Sequence, residues 1–374
     1  MSAGNFDISL TGDATLGTLT EPTSGTYTAS IANQTAELVS VSVTVNTVLL
    51  NDSPQIEFTA GAVSNVTILS GNNQTGTVAE QLTSDFVVEA TDVFNNPVSS
   101  VQVDFAIDQI PAGATGESLT NMQILTGSLG RAATRLTLGD IPGTYTVDAT
   151  VAGAGTVTFS AQAEIGEASS MTVTTPPSET TAGTSISPAP AVTITDDAGN
   201  AIGGVNVSVS EQGGYTFDSG TLSSLTDANG VASFDGLVIN TAGNYTLEFD
   251  ADAPAVSSIS STPFDVVPAA GDPANSTANV PDGAAGDPTT ITISVWDQFN
   301  NAVTGASGAL SVSFVTGPNS GSSFSTITDN GNGTYTTSYT PTAIGEDEIS
   351  ITLNGTNIAG TTYFSTVSTS DVSA

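Results

Sequence analysis

Apolar and polar residues alternate along much of this chain. Phe86, Val88 and Ala90 share one parity, as do Val192 and Ile194, and Ile291, Ile293 and Val295. A second alternating run follows each of these: Val101, Val103 and Phe105; Val205, Val207 and Val209; Leu310, Val312 and Phe314. A period of two sets one face of a strand on a core and the other in water. No stretch holds the 3.6-residue apolar period of a helix, and Thr, Val and Gly interrupt throughout. The pattern predicts an all-β chain. Between the paired runs the same turn stands three times, as Asp92-Val93-Phe94-Asn95-Asn96, Asp196-Asp197-Ala198-Gly199-Asn200 and Asp297-Gln298-Phe299-Asn300-Asn301. Asp and Asn cap nearby backbone N–H groups, and Gly or Asn tolerates positive φ. The turn is therefore expected to join two antiparallel strands, with a conformational role.

The three turns are 104 and 101 residues apart, about the length of one β-sandwich domain. A second signature follows each by roughly fifty residues: Gly143-Thr144-Tyr145-Thr146-Val147, then Gly243-Asn244-Tyr245-Thr246-Leu247, then Gly345 with Ile349, Ile351 and Leu353. An aromatic entering a strand from a tight glycine turn suits the corner of a sandwich. Asp227-Ala228-Asn229-Gly230 and Asp329-Asn330-Gly331-Asn332-Gly333 read as hairpin turns. Residues 6–58 align without gaps onto 314–366, placing Phe6 on Phe314 and Gly25-Thr26-Tyr27 on Gly333-Thr334-Tyr335. The expected organisation is a partial domain over 1–60 lacking its first strands, complete domains over 61–165, 166–268 and 269–367, and the start of a further one at 368–374. Junctions such as Pro268-Ala269-Ala270-Gly271-Asp272-Pro273 are short and proline-bearing, hence semi-stiff.

With these residues the chain resembles the bacterial immunoglobulin-like domains of the invasin and intimin class. The run from Gly71-Asn72-Asn73-Gln74-Thr75-Gly76-Thr77-Val78 through Asp92 to Val98 carries the likeness. The fourth domain, with Asp329 to Tyr335, also resembles a filamin-type repeat. The resemblance implies tandem immunoglobulin-like β-sandwich domains, expected from their length and stiff junctions to form an extended rod. It further implies a stalk or fibre of a cell-surface, adhesin-like protein that projects or spaces a binding region. The expected partners are neighbouring domains or subunits of the same array, with surface glycans or proteins as further candidates. Such modules also occur as glycan- or protein-binding units and as accessory regions of secreted hydrolases.

Composition narrows the chemistry. Of 374 residues, 37 are acidic and only Arg131 and Arg135 are cationic, for a net charge of −35. A surface of one sign repels phosphate backbones and anionic lipid heads, which argues against nucleic acid and membrane partners. No apolar run of about 18 residues is present to insert into a bilayer. Residues 2–20 lack the basic start and apolar run of a signal peptide, so an exported protein's signal is expected outside these residues. There is no cysteine and no histidine, and both cations are arginines, which removes the usual nucleophiles and bases and leaves carboxylate pairs alone. No enzyme and no cofactor is expected. Calcium is the one metal the oxygen-rich turns suit, with Asp196, Asp197, Asp250 and Asp252 as candidate ligands. Trp296 is the only tryptophan. It falls on the face opposite Ile291, Ile293 and Val295, where a ring stacks on a sugar or packs beneath a neighbouring loop.

Overall fold

The computed structural model describes residues 5–369. Among them the chain is built of strands, with single 3₁₀ turns at Ser307–Ala309 and Ile358–Gly360 and no α-helix. Contacts divide it into two compact units, Met1–Glu167 with Asp196–Asn200, and Ala168–Thr195 with Ala201–Ala374.

In the first unit, Phe6–Leu10 pairs antiparallel with Leu38–Val45, and Thr20–Thr23 pairs with Thr26–Thr28. Val39 and Val41 are buried there, whereas Leu38, Val48, Leu49 and Leu50 are exposed. The same unit holds a sandwich. One sheet runs Gln74–Thr77, Gly155–Glu164, Gly143–Val151, Gln102–Gln109, Gln123–Leu125 in spatial order, and the other Arg131–Thr134, Phe86–Thr91, Asn65–Ser70. Phe86, Val88, Val103, Phe105, Tyr145, Val147 and Phe159 fill the space between them. Both cations sit on the second of these sheets or beside it, Arg131 against Glu89 at 3.1 Å and Arg135 against Asp85 at 2.6 Å.

The second unit holds two further immunoglobulin-like sandwiches. The core of the first is built on Val192, Ile194, Val207, Phe234, Leu247 and Phe249. That of the second is built on Ile291, Ile293, Tyr335, Tyr339, Ile349 and Ile351.

The corner glycines open strands as expected. The Tyr145 hydroxyl donates to the Ile141 carbonyl at 2.7 Å and that of Tyr245 to Thr241 at 2.9 Å. Equivalent pairings recur at the ends of the chain: Thr20 faces Thr28 as Thr328 faces Thr336, each pair 308 residues from the other. Phe6, however, faces Val45 whereas Phe314 faces Ile349. That is a slip of four positions, and an even slip keeps the same side chains on the inward face.

Two expectations are corrected. The repeated turn does not close a hairpin. Phe86–Thr91 and Gln102–Gln109, the strands on either side of it, lie in different sheets, as do Ala191–Thr195 and Asn206–Glu211, and Thr289–Ser294 and Leu310–Thr316. Only a single bridge closes each tip: Thr91 to Pro97, Thr195 to Ala201, Trp296 to Ala302. Both runs bury alternate residues in one core, but from opposite layers, and a period of two reads the same either way. The turn at Asp227–Gly230 likewise separates strands of different sheets, Ser223–Leu225 and Val231–Ser233. Asp329–Gly333 does close a hairpin, with Asp329 opposite Tyr335.

Candidate functional site, a repeated aspartate–asparagine latch

The repeated turn is shaped by its own side chains. Asp92 Oδ1 accepts from the Phe94 and Asn96 N–H groups at 2.8 and 2.9 Å. Asp297 Oδ1 accepts from those of Phe299 and Asn301 at 2.9 and 2.8 Å, and Asp196 Oδ1 from that of Asn200 at 2.8 Å. The fourth residue then takes a left-handed conformation, with φ of 66° at Asn95, 88° at Gly199 and 66° at Asn300. This is why Asn or Gly stands there.

The second carboxylate oxygen reaches out of the turn. Asp92 Oδ2 accepts from the Gly61 N–H at 2.8 Å, Asp196 Oδ2 from Gly166 at 3.0 Å, and Asp297 Oδ2 from Ala269 at 2.9 Å. Each donor lies in the segment that leads into the sandwich. The same oxygens receive one hydrogen of the fifth residue's amide, at 3.0 Å from Asn96, 3.1 Å from Asn200 and 2.8 Å from Asn301.

That amide makes the reach longer still. Its other hydrogen goes to a carbonyl about sixty residues earlier: Gln34 at 2.7 Å, Asp140 at 2.8 Å and Asn240 at 2.8 Å. Two residues beyond that carbonyl, an N–H donates back to the amide oxygen, Ala36 to Asn96 and Ala242 to Asn301, both at 2.8 Å. At the middle copy the equivalent residue is Pro142, which has no N–H to give. Asn200 is accordingly only half-buried, whereas Asn96 and Asn301 are 8% and 7% exposed. Each turn thus bonds itself, its own linker and the corner loop of the preceding β segment in one network.

The third turn residue adds packing of graded strength. Phe299 lies against the core of the sandwich before it and sits on Gly183, where any Cβ would collide with the ring. Ala198 packs on the core that holds Phe86 and Phe159. Phe94 remains half exposed beside a 170 Å³ cleft shared with Asn33 and Phe58.

The electrostatics follow from burial and donors together. Burial opposes ionisation of Asp92, but the hydrogen bonds from Asn96, Gly61 and Phe94 outweigh it and lower its pKa to about 2. Asp196 is lowered too, with burial opposed by donors from Asn200, Gly166 and Ala198. A carboxylate ringed by N–H donors has its lone pairs committed, so the network orders backbone and leaves little to offer a cation.

Of the residues singled out beforehand, Asp196 is a latch carboxylate, while Asp197, Asp250 and Asp252 are exposed. Among the described residues no group of three or more acidic side chains is placed to hold a metal. Trp296 is half-buried, its backbone N–H donating to Ser276 Oγ at 3.1 Å and its backbone carbonyl accepting from the Asp272 N–H at 2.7 Å. It leads directly into the third latch. Sequence reasoning found the turns but missed that Asn96, Asn200 and Asn301 bridge to another segment. The available signal was the corner: Asp140 and Asn240 each stand three residues before the glycine of the Gly-x-Tyr signature.

Residues 270–363 match the Filamin/ABP280 repeat. No curated protein matches the sequence. Among solved structures, the Escherichia coli adhesin FdeC is similar over 83% of this chain and 100% of that one, at 21% identity and a TM-score of 0.43. Invasin, a bacterial integrin-binding protein, is similar at 16% identity and a TM-score of 0.44, over 82% of this chain and 60% of its own. InvD of Yersinia pseudotuberculosis is similar at 23% identity, 55% coverage of this chain, 60% of that chain and a TM-score of 0.37. These likenesses are of fold.

Proposed function

We propose that this chain is a structural repeat region of an extracellular, adhesin-like protein, a stalk or fibre segment that spaces a binding region from a surface. The observation that supports this is the latch. A spacer transmits position only if its joints resist bending, and the same Asp–Asn network ties turn, linker and preceding corner together at three sites. The partners on this reading are neighbouring domains of the array. The extracellular placement rests on the likeness of the opening strands to bacterial immunoglobulin-like domains, and the scarcity of nucleophiles and bases agrees with a non-catalytic role.

The test is ¹⁵N relaxation on the full chain and on a variant carrying Asn96→Ala, Asn200→Ala and Asn301→Ala. In the parent, the sandwiches on either side of Asn301 should share one rotational correlation time, and in the variant they should separate into two. Identical relaxation in both proteins would show that the latches do not set joint stiffness and would remove the basis for a spacer.

A further inference from the structure

The receiving half of a latch is a short corner loop, and the last sandwich, whose core holds Ile291 and Tyr335, has one of its own. Gln34, Asp140 and Asn240 offer the carbonyl, and Asp140 and Asn240 stand three residues before the corner glycines Gly143 and Gly243. Three residues before the corner glycine Gly345 stands Thr342, and two residues beyond Thr342 is Ile344, the counterpart of Ala36 and Ala242. The gapless alignment of the first segment places Gln34 on Thr342 and Ala36 on Ile344 as well.

The rest of this loop is already tied inward. Buried Asn319 accepts from the Thr342 and Ala343 N–H groups at 2.7 and 2.8 Å, and donates to the Ala343 carbonyl and to buried Asp347, both at 2.8 Å. The two main-chain groups a latch would use, the Thr342 carbonyl and the Ile344 N–H, have no partner among the described residues. The Ile344 side chain beside them is 60% exposed.

We propose that Thr342 and Ile344 form a docking site for the Asp-x-x-(Gly/Asn)-Asn turn of a further β-sandwich. The turn's asparagine would donate to the Thr342 carbonyl and accept from the Ile344 N–H. A second copy of this chain is not the occupant, because its turns at Asp92, Asp196 and Asp297 are each already seated. The occupant is a sandwich of the same array from outside these 374 residues. This rests on the latch reading and extends it to a corner whose two main-chain groups are unpaired among the described residues.

The experiment supplies such a sandwich. The chain is ended at Thr369 and continued with a second copy of residues 268–367, which reproduces the spacing between Asn240 and the linker that follows it. A parallel fusion uses residues 62–165, so that failure of one appended domain to fold leaves the other as the test. Amide exchange is followed at Ile344, with Ala242 as the internal reference for a seated latch. Ile344 should slow roughly tenfold or more on fusion, as expected for one hydrogen bond gained by an exposed amide. The gain should vanish when Asn301→Ala is made in the appended copy alone. If Ile344 stays fast in a folded fusion while Ala242 is slow, this docking site is refuted and the latch survives. A fast Ala242 in the parent chain would overturn both.

Discussion

Replacing Asn301 by alanine removes three hydrogen bonds together: to Asp297 Oδ2, to the Asn240 carbonyl, and from the Ala242 N–H, each at 2.8 Å. The first is charge-assisted and contributes about 1.5–3 kcal/mol, and the neutral two contribute roughly 0.5–1.5 kcal/mol each. Water will reach the freed Asn240 and Ala242 groups and recover part of this. Asp297 is fully buried but keeps the N–H donors of Phe299, Asn301 and Ala269. The net expectation is about 3 kcal/mol, or roughly a hundredfold in the opening equilibrium of the joint. The reporter is the Ala269 N–H, which donates to Asp297 and does not touch the substituted side chain. Its exchange should accelerate by about that factor if linker, turn and corner open as one unit. Asn200→Ala loses the bond to the Asp140 carbonyl and one hydrogen shared between the two Asp196 oxygens at 3.3 and 3.1 Å, with no returning N–H because of Pro142, so Gly166 should respond less, by roughly a factor of five for about 1 kcal/mol. If Ala269 exchange changes by less than about threefold, the bonds carry no joint free energy. An Asn200→Ala effect larger than that of Asn301→Ala would refute the bond-counting itself.

The remaining expectations concern charge and fit. Asp92 has a pKa of about 2 in the folded chain against about 3.9 when unfolded. Its contribution is therefore complete above about pH 4 and lost as pH falls through 2. A carboxyl NMR titration should place its midpoint near 2, and the urea midpoint of the first unit should fall over that window; a midpoint near 4 would contradict the network. With a net charge of −35, thermal melts should rise with sodium chloride as the Debye length shrinks from about 30 Å at 0.01 M to about 3 Å at 1 M. Calcium should add nothing beyond magnesium at matched ionic strength, and a calcium-specific shift would point to a cation site among the exposed carboxylates. Gly183→Ala should destabilise the second unit by about 2 kcal/mol or more, because φ is +78° there and the new methyl meets Phe299. Phe299→Ala in the same chain should relieve the steric part, and a double-mutant cycle showing no coupling would disprove the contact.

The fold was largely written in periodicity. Runs such as Ile291, Ile293 and Val295 specify a strand and its buried face regardless of partner. What they do not carry is layer: Val88 and Val103 have the same alternation signature although they enter the core from different sheets. The latch was half legible for a related reason. Its donor side is an Asp and an Asn four residues apart, a side-chain pattern. Its receiving side is a carbonyl and an N–H, which every residue but proline possesses, so Gln34, Asp140 and Asn240 share no side-chain chemistry. Asp196 and Asp197 looked like adjacent ligands, but neighbouring strand and turn positions face apart, and only Asp196 turned inward.

That the receiving half is main chain has a consequence for how such an array changes over generations. A domain can be duplicated, deleted or exchanged without matching mutations in the one before it, because the corner it settles upon presents the same carbonyl whatever its side chains are. Recombination between repeats would then be tolerated at almost every boundary. The exception is a boundary where proline occupies the second corner position, as Pro142 does. There a newcomer receives no returning N–H, so a single codon grades how many bonds the corner offers.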